Sequence, residues 1–447
     1  MLSAADNELL TRTGPGTPMG QYFRRFWQPV ALSEELPEPD GPPLRVKVLG
    51  EDWVAFRDSK GRVGLVDPRC AHRGADLFFG RNEECGLRCV YHGWKFDVQG
   101  RCVDLPNVPA RSAEHLDISI RACPTREFAD MVWAYLGPGE PPADVPQLES
   151  GLVPAERRYV KKKLVDCNWA QSFEGALDTG HFSFLHMPAP CVVTGELPMG
   201  QVDRQRMQWM RDDPQPSFFF VDHEVGFVIG GVRKTDGSDL YWRTTQFMLP
   251  AHSITPGNMP GEIYIGYTWV PITDEQCWVY TYAWHPERTI GAEERAQFKA
   301  GFGQFPEMGP GYRPVRHRGN DYLIDRHAQK TTSYTGVKGV AEQDNMIQES
   351  QGRIADRTRE HLTATDAAVA RFRRVILGGV KALRDGQEPA APRLAQAYTL
   401  RCGGWIGDAS LPLEHVMRRR YGNPTGRVQP GMPDALGPMP QAAPRLA

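Results

Sequence analysis

The stretch CVYHGWKFDVQG, residues 89–100, decides how the first third of this chain is read, because it sets Cys89 and His92 three positions apart in an aromatic segment. Nineteen residues upstream of Cys89, CAHRGADLFFG (70–80) carries a second pair, Cys70 and His72. Two thiols and two imidazoles in neighbouring segments form a metal-ligand set, and a structural Cys2His2 zinc site uses the same donors. Two features count against zinc. The pairs sit in loops between strand-like runs, without a helix carrying H-x3–5-H, and each loop holds one Cys and one His. That division suits a [2Fe–2S] cluster in which both cysteines bind one iron and both histidines the other. Cys85, in CGLRC, is spaced like neither pair and reads as structural.

Working outward, LRVKVLGEDWVAFRD, RVGLVD, WKFDVQGRC and DMVWAYLG alternate apolar and polar residues between Gly, Asp and Asn turn signals, which predicts a small β domain. The proline-rich passage GPGEPPADVPQLESGLVP (137–154) marks its end. Beyond it, NWAQSFEGALDTGHFSFLH (168–186) predicts a helix. SFFFVDHEVGFVIGGV, DLYWRTTQFML, EIYIGYTWVPI and CWVYTYAWH are dense in Tyr, Trp, Phe and Val, as in one large antiparallel sheet. Helical pattern returns at AEQDNMIQESQGRI and DAAVARFRRVILGGVKALRDG (366–386). The fold class is α+β: an N-terminal all-β domain over 1–150, a helix-covered sheet domain over 151–421, and a Pro/Gly-rich arm, extended or partly disordered, over 422–447.

The bulk numbers exclude several function classes. A chain of 447 residues accommodates two domains. A formal net charge of −2 gives no basic footprint for nucleic acid. No apolar run reaches the roughly 18–20 residues of a membrane span. MLSAADNELL has neither the basic start nor the apolar run of a signal peptide. Nine irregularly spaced cysteines argue against a disulfide framework, so the expected location is cytoplasmic.

DTGHFSFLH holds Asp178, His181 and His186. Five residues of regular helix rotate through about 500°, so the two histidines converge on one metal only if the helix loosens or ends between them. Taken alone, H-x4-H reads sooner as a pair of core histidines than as a metal pair. The surrounding residues change that reading. CAHRGADLFFG with CVYHGWKFDVQG resembles the cluster motif of the Rieske non-heme iron aromatic-ring-hydroxylating oxygenases. NWAQSFEGALDTGHFSFLH resembles that family's mononuclear-iron segment, D-x-x-H-x4-H. The likeness extends over about residues 7–420, through NELLTRTGPGTPMGQYFRRFWQPVALSEELP and NDYLIDRHAQKTTSYTGVKGVAEQD, and is closest to the phthalate 4,5-dioxygenase-like group of oxygenase (α) subunits. That group includes dioxygenases of aromatic carboxylates, arylsulfonate oxygenases and O-demethylases.

The resemblance implies a helix-grip, START-like catalytic domain and two metal groups. Cys70, His72, Cys89 and His92 would bind the cluster. His181 and His186, with a carboxylate from elsewhere, would bind Fe(II) and leave positions open for O2. Asp344, in AEQDNMIQESQG, resembles the family's third ligand; Asp356, in IADRTREH, is the competitor. Asp178 would lie between a cluster histidine and an iron histidine across a subunit boundary, which implies a homotrimer or a pair of trimers. No G-x-G-x-x-G follows a strand, so NAD(P)H and flavin belong to a separate reductase. The expected reaction is cis-dihydroxylation of a phthalate-like aromatic acid, with monooxygenation or O-demethylation of a substituted benzoate or arylsulfonate as the alternative. An anionic substrate calls for an arginine fork. Arg243 in LYWRTTQF and Arg211 are the candidates, Arg243 serving equally well in a buried salt bridge; Arg233, beside Lys234 before TDGSD, reads as a solvated turn.

Overall fold

The computed structural model describes residues 1–109, 116–194, 201–256 and 263–433, without the side chains of 201 and 202. Two compact units emerge: Arg12–Val145 with Val270–Asp274, and Met1–Thr11 with Pro146–Trp269 and the chain from Glu275 onward. The proline-rich stretch predicted as a boundary holds the change from one to the other, at Val145/Pro146.

The first unit is all β, built from three small antiparallel sheets. One pairs Trp27–Leu32 with Met131–Tyr135 and Thr125–Phe128. The second runs Leu44–Val48, Glu51–Arg57, Val63–Val66, Ala122–Cys123. The third runs Arg81–Glu83, Gly86–Arg88, Lys95–Phe96, Cys102–Asp104. Val54, Phe56, Leu77, Leu87 and Phe96 form a core that also takes in Cys70, Cys89 and Trp94. Cys85 sits with Glu84 at a hairpin turn, both at positive φ (62° and 48°). It is a turn residue.

The second unit holds α1 (Ala4–Thr11) and an eight-stranded antiparallel sheet. Its strands are β1 (Arg158–Val165), β2 (Ser217–His223), β3 (Gly226–Lys234), β4 (Asp239–Met248), β5 (His252–Thr255), β6 (Tyr264–Thr273), β7 (Gln276–Trp284) and β8 (Gly404–Asp408). The order is β1-β7-β6-β5-β4-β3-β2, with β8 pairing β4. Helices α2 (Trp169–Leu177), α3 (Gln201–Asp212), α4 (Ala292–Lys299), α5 (Val340–Ser350), α6 (Ala367–Arg384) and α7 (Leu413–Tyr421) accompany it. Phe173 of α2 sits 4.9 Å from the Trp269 ring and 4.9 Å from Phe372 of α6, so one aromatic cluster fastens two helices to the sheet. Helix α2 lies along α5 through Gln171 Nε2, which donates to Gln348 O (2.9 Å), and Ser172 Oγ, which donates to Gln348 Oε1 (3.0 Å).

Two expectations need correction. The helix predicted over 168–186 stops at Leu177, before both histidines. Asp178 is already extended (φ −81°, ψ 117°), and its Oδ1 accepts the Gly180 amide (2.6 Å), a local bond that competes with helix continuation. The arm predicted over 422–447 is in part packed on the unit: Val428 is buried, Arg427 bridges to Leu400, and Arg401 donates to Met432 O (2.7 Å). The remainder, 434–447, lies outside the described residues. No helix among the described residues is long and apolar enough to cross a membrane.

Candidate functional site

In the first unit, the two Cys/His loops repeat one backbone pattern. The Cys70 amide donates to Ala75 O (2.9 Å) and the Gly74 amide to Cys70 O (2.9 Å). The Cys89 amide donates to Trp94 O (2.8 Å) and the Gly93 amide to Cys89 O (2.9 Å). Gly74 and Gly93 take φ of +73° and +79°, the left-handed conformation that closes each loop and favours glycine. The paired loops make the Cys70 and Cys89 thiols neighbours and bring the His72 and His92 rings to 4.4 Å between centroids. Trp94 stacks on His72 at 4.5 Å and is held by Asn107, whose Oδ1 accepts its Nε1–H (2.8 Å).

This arrangement fits a two-iron cluster with sulfur ligands on one side and nitrogen ligands on the other. His72 Nδ1 is buried and meets no hydrogen-bond partner among the described residues, so that nitrogen is available to a metal. Burial and the neighbouring Cys89 thiol push the Cys70 thiol up to about 11, a cost that a bound cation reverses.

In the second unit, His181, His186 and Asp344 offer donor atoms that all lie within 4.8 Å of one another. His181 Nε2 and His186 Nε2 are 3.2 Å apart; Asp344 Oδ1 lies 3.2 Å from His186 Nε2 and 3.7 Å from His181 Nε2. The break after α2 is what lets the histidines converge: His181 opens a single 3-10 turn (His181–Ser183), and the chain returns at His186. Asp344 comes from the second turn of α5. Burial opposes charge on both Asp344 and His186, yet their mutual attraction outweighs it, holding Asp344 low and His186 high. Asp356 stays outside this group, its Oδ1 engaged by the Thr358 amide (3.0 Å) and hydroxyl (2.6 Å).

Each histidine has its other ring nitrogen held. Asp178 Oδ2 lies 3.3 Å from His181 Nδ1, and Gln343 Oε1 lies 2.7 Å from His186 Nδ1. Gln343 is in turn fixed by donating to Val337 O (2.8 Å). Burial would raise the Asp178 carboxyl, but His181 and the Gly180 and His181 amides hold it below the ordinary range. Gly231 of β3 makes room here, since a Cβ would come 2.5 Å from Thr179 Cγ2. Arg233 clamps the same segment through Thr179 O and Oγ1 (3.3 Å). The solvated turn expected for Arg233 is therefore wrong: it shares the inward face of β3 with Gly231 and is 1% exposed.

The arginines divide. Arg211, expected near substrate, instead donates to Val192 O (2.9 Å) and Pro188 O (3.3 Å), which occupies its fork. Arg243 is buried, its guanidinium 4.1 Å from the Phe182 ring centroid, and meets no carboxylate among the described residues. Phe182 in turn contacts His181 and His186 at 4.6 and 4.9 Å. Burial lowers the Arg243 pKa, with only a minor push from the Arg206 charge. Arg206 Nη1 lies 3.8 Å from Asp203, and its Nε is buried without a hydrogen-bond partner among the described residues. A cavity of about 40 Å³, lined by His181, Phe182, Tyr267, Trp269, Asp344 and Lys163, adjoins the trio. Lys163 Nζ donates to Asn345 Oδ1 (2.8 Å), beside Asp344. Sequence pattern offers no signal for Arg206 or Lys163, which sit in ordinary helix and strand text; Gln343 could have been suspected only from its place beside Asp344.

Comparison with known proteins agrees with this geometry. Residues 26–124 match the Rieske [2Fe-2S] domain, and residues 134–397 match the LigXa C-terminal domain like family. The chain is 38% identical over 406 residues to the phthalate 4,5-dioxygenase oxygenase subunit of Pseudomonas putida, covering 87% of this chain and 88% of that one. It is 32% identical over 444 residues to the 3-chlorobenzoate-3,4-dioxygenase oxygenase subunit of Comamonas testosteroni, covering 94% and 99%. In fold it resembles the terminal oxygenase of carbazole 1,9a-dioxygenase from Novosphingobium sp. KA1 (TM-score 0.53, 19% identity, 87% of this chain and 100% of that one). Cluster loops, inward-facing histidines and whole-chain likeness lead to one assignment: the chain belongs to the Rieske non-heme iron oxygenases, as an oxygenase α subunit of the phthalate 4,5-dioxygenase-like group.

Proposed function

We propose that this chain is the terminal oxygenase of a multicomponent system, fed by a separate NAD(P)H-dependent flavin reductase, and that it cis-dihydroxylates a phthalate-like aromatic carboxylate. In this reading Cys70, His72, Cys89 and His92 hold the cluster, and His181, His186 and Asp344 hold Fe(II). When bound, these groups supply electron storage and O2 activation, two imidazoles and one carboxylate leaving coordination positions free. The chain's own side chains do the rest. Asp178 and Gln343 accept the Nδ1–H protons of His181 and His186, which fixes the tautomer that turns each Nε2 lone pair toward the metal. The Asp178 side chain is 28% exposed, open to a cluster histidine of a neighbouring copy. A homotrimer or a pair of trimers is part of the proposal.

The observation that carries the substrate class is the buried Arg243 fork, which meets no carboxylate among the described residues. A buried guanidinium is costly unless an anion meets it. An aromatic acid supplies a carboxylate for Arg243 and an apolar ring for the walls formed by Phe182, Tyr267 and Trp269. Arg206, close by with its Nη1 3.8 Å from Asp203 and its Nε unpartnered among the described residues, favours a second anionic group on the same ring. The test is Arg243→Gln assayed with a compatible reductase. Loss of a charged hydrogen-bond partner is worth about 1.5–3 kcal/mol, so KM for phthalate is expected to rise roughly 10- to 150-fold. An unchanged KM would remove Arg243 from substrate binding and the aromatic-acid class with it.

A further inference from the structure

A second and larger cavity, of about 390 Å³, lies beside the one at the metal trio. Four lysines line it, Lys161, Lys162, Lys163 and Lys299, and among the described residues no acidic one does. Tyr159, Phe298 and Phe305 give it aromatic walls, packed against one another at 4.7–5.3 Å between ring centroids. A basic, aromatic cavity of this size matches a small aromatic anion in both charge and volume.

Its position is set by strand register. Tyr159, Lys161 and Lys163 alternate on one face of β1, opposite Ala283, Thr281 and Val279 of β7. Lys163 and Val279 line the small cavity; Lys161 and Thr281 line the large one. The two spaces therefore meet at Lys163 on this edge strand, the large one reaching round the strand to Lys162 on its other face. Lys163 is the residue common to both linings, with its ammonium on Asn345 beside Asp344. Lys299, exposed at the end of α4, stands at the outer side. The inner space, about 40 Å³, is about a tenth of the outer one. An aromatic acid fits the outer space without rearrangement, and Lys163 is the side chain that separates it from the inner one.

We propose that the lysine-lined cavity is an entry chamber that binds the aromatic acid before it passes Lys163 to the metal trio. This rests on the aromatic-acid reading given above. Within the chamber, Lys161 and Lys299 attract the carboxylate, the three rings hold the arene, and Lys163 offers the next cation inward, so the anion is not left without a counter-charge on the way.

The experiment is crystallographic soaking of the whole protein with 4-bromophthalate, read by bromine anomalous scattering, together with steady-state kinetics on phthalate. The variant is Lys161→Met/Lys299→Met, both outside the catalytic machinery. The unaltered protein is expected to show a bromine peak in the outer chamber; the variant should lose that peak, keep kcat, and drop about tenfold in kcat/KM. A peak at the metal trio alone, with kcat/KM unchanged in the variant, would overturn the entry chamber and leave the aromatic-acid reading standing. No peak in either cavity and no turnover of any aromatic acid would overturn both. Lys161→Arg should restore kcat/KM in the Lys299→Met background; failure to do so would mean the charge plays no part.

Discussion

At the scale of single residues, Asp178 joins two roles that sequence pattern kept apart: its Oδ1 stops α2 at the Gly180 amide while its Oδ2 faces His181. Asp178→Asn is expected to keep both metal groups and lose about 10- to 100-fold in turnover, measured by iron content beside steady-state rate. Normal turnover would dismiss the bridging role. Asp344→Ala should lose the mononuclear iron and keep the cluster's visible absorption, whereas Asp356→Ala should change neither; the reverse result would exchange their roles. Gln343→Leu leaves His186 Nδ1 unpaired and should weaken iron binding by a similar 10- to 100-fold, read by competition with a chelator. Cys70, His72, Cys89 and His92 were legible as candidates from spacing alone, whereas His181, His186 and Asp344 became candidates only through the family resemblance of their segments. Arg206, Lys163 and Gln343 were not, since a cation or amide gains a place at such a site only through what tertiary packing sets beside it.

Elements show the same contrast. The strands of the large sheet stand close to where the aromatic, β-branched runs put them, because a sheet of this kind is buried on both faces over most of its length. The helix across 168–186 was overextended, since an Asx bond at Asp178 is a local contest that periodicity does not register. Arg233 looked solvated beside Lys234 because the inward side of β3 can be known only from register. That inward side is tight at Gly231. Gly231→Ala is expected to displace Thr179, costing about 1–3 kcal/mol by the usual penalty of overpacking, and to lower turnover by shifting Asp178. Denaturant unfolding and rate together check it; full stability with full activity would mean that the α2 exit is not held by this contact.

For the whole molecule, acid stability should depend on the buried network behind α2. Glu174 accepts from Arg357 (3.1 Å) and from Arg373 Nε (2.7 Å), and Arg373 also pairs with Glu360. Burial acts to raise Glu174, but the two arginines outweigh it and hold its carboxyl below the ordinary 4.5. Its stabilising contribution is then present above about pH 4.5 and is lost as pH falls through the lower folded value. Glu174→Gln should cost about 3–5 kcal/mol at pH 7 and flatten the fall in stability below pH 4.5, measured by unfolding across pH. An unchanged acid profile would place the acid-sensitive group elsewhere. Above all these stands the reaction itself. Reduced, iron-replete protein should be given phthalate and labelled dioxygen for a single turnover, and the product weighed by mass spectrometry. A cis-diol carrying two labelled atoms is the predicted result. A product with one labelled atom would contradict dihydroxylation, and an oxidised cluster with no aromatic acid consumed would contradict the substrate class.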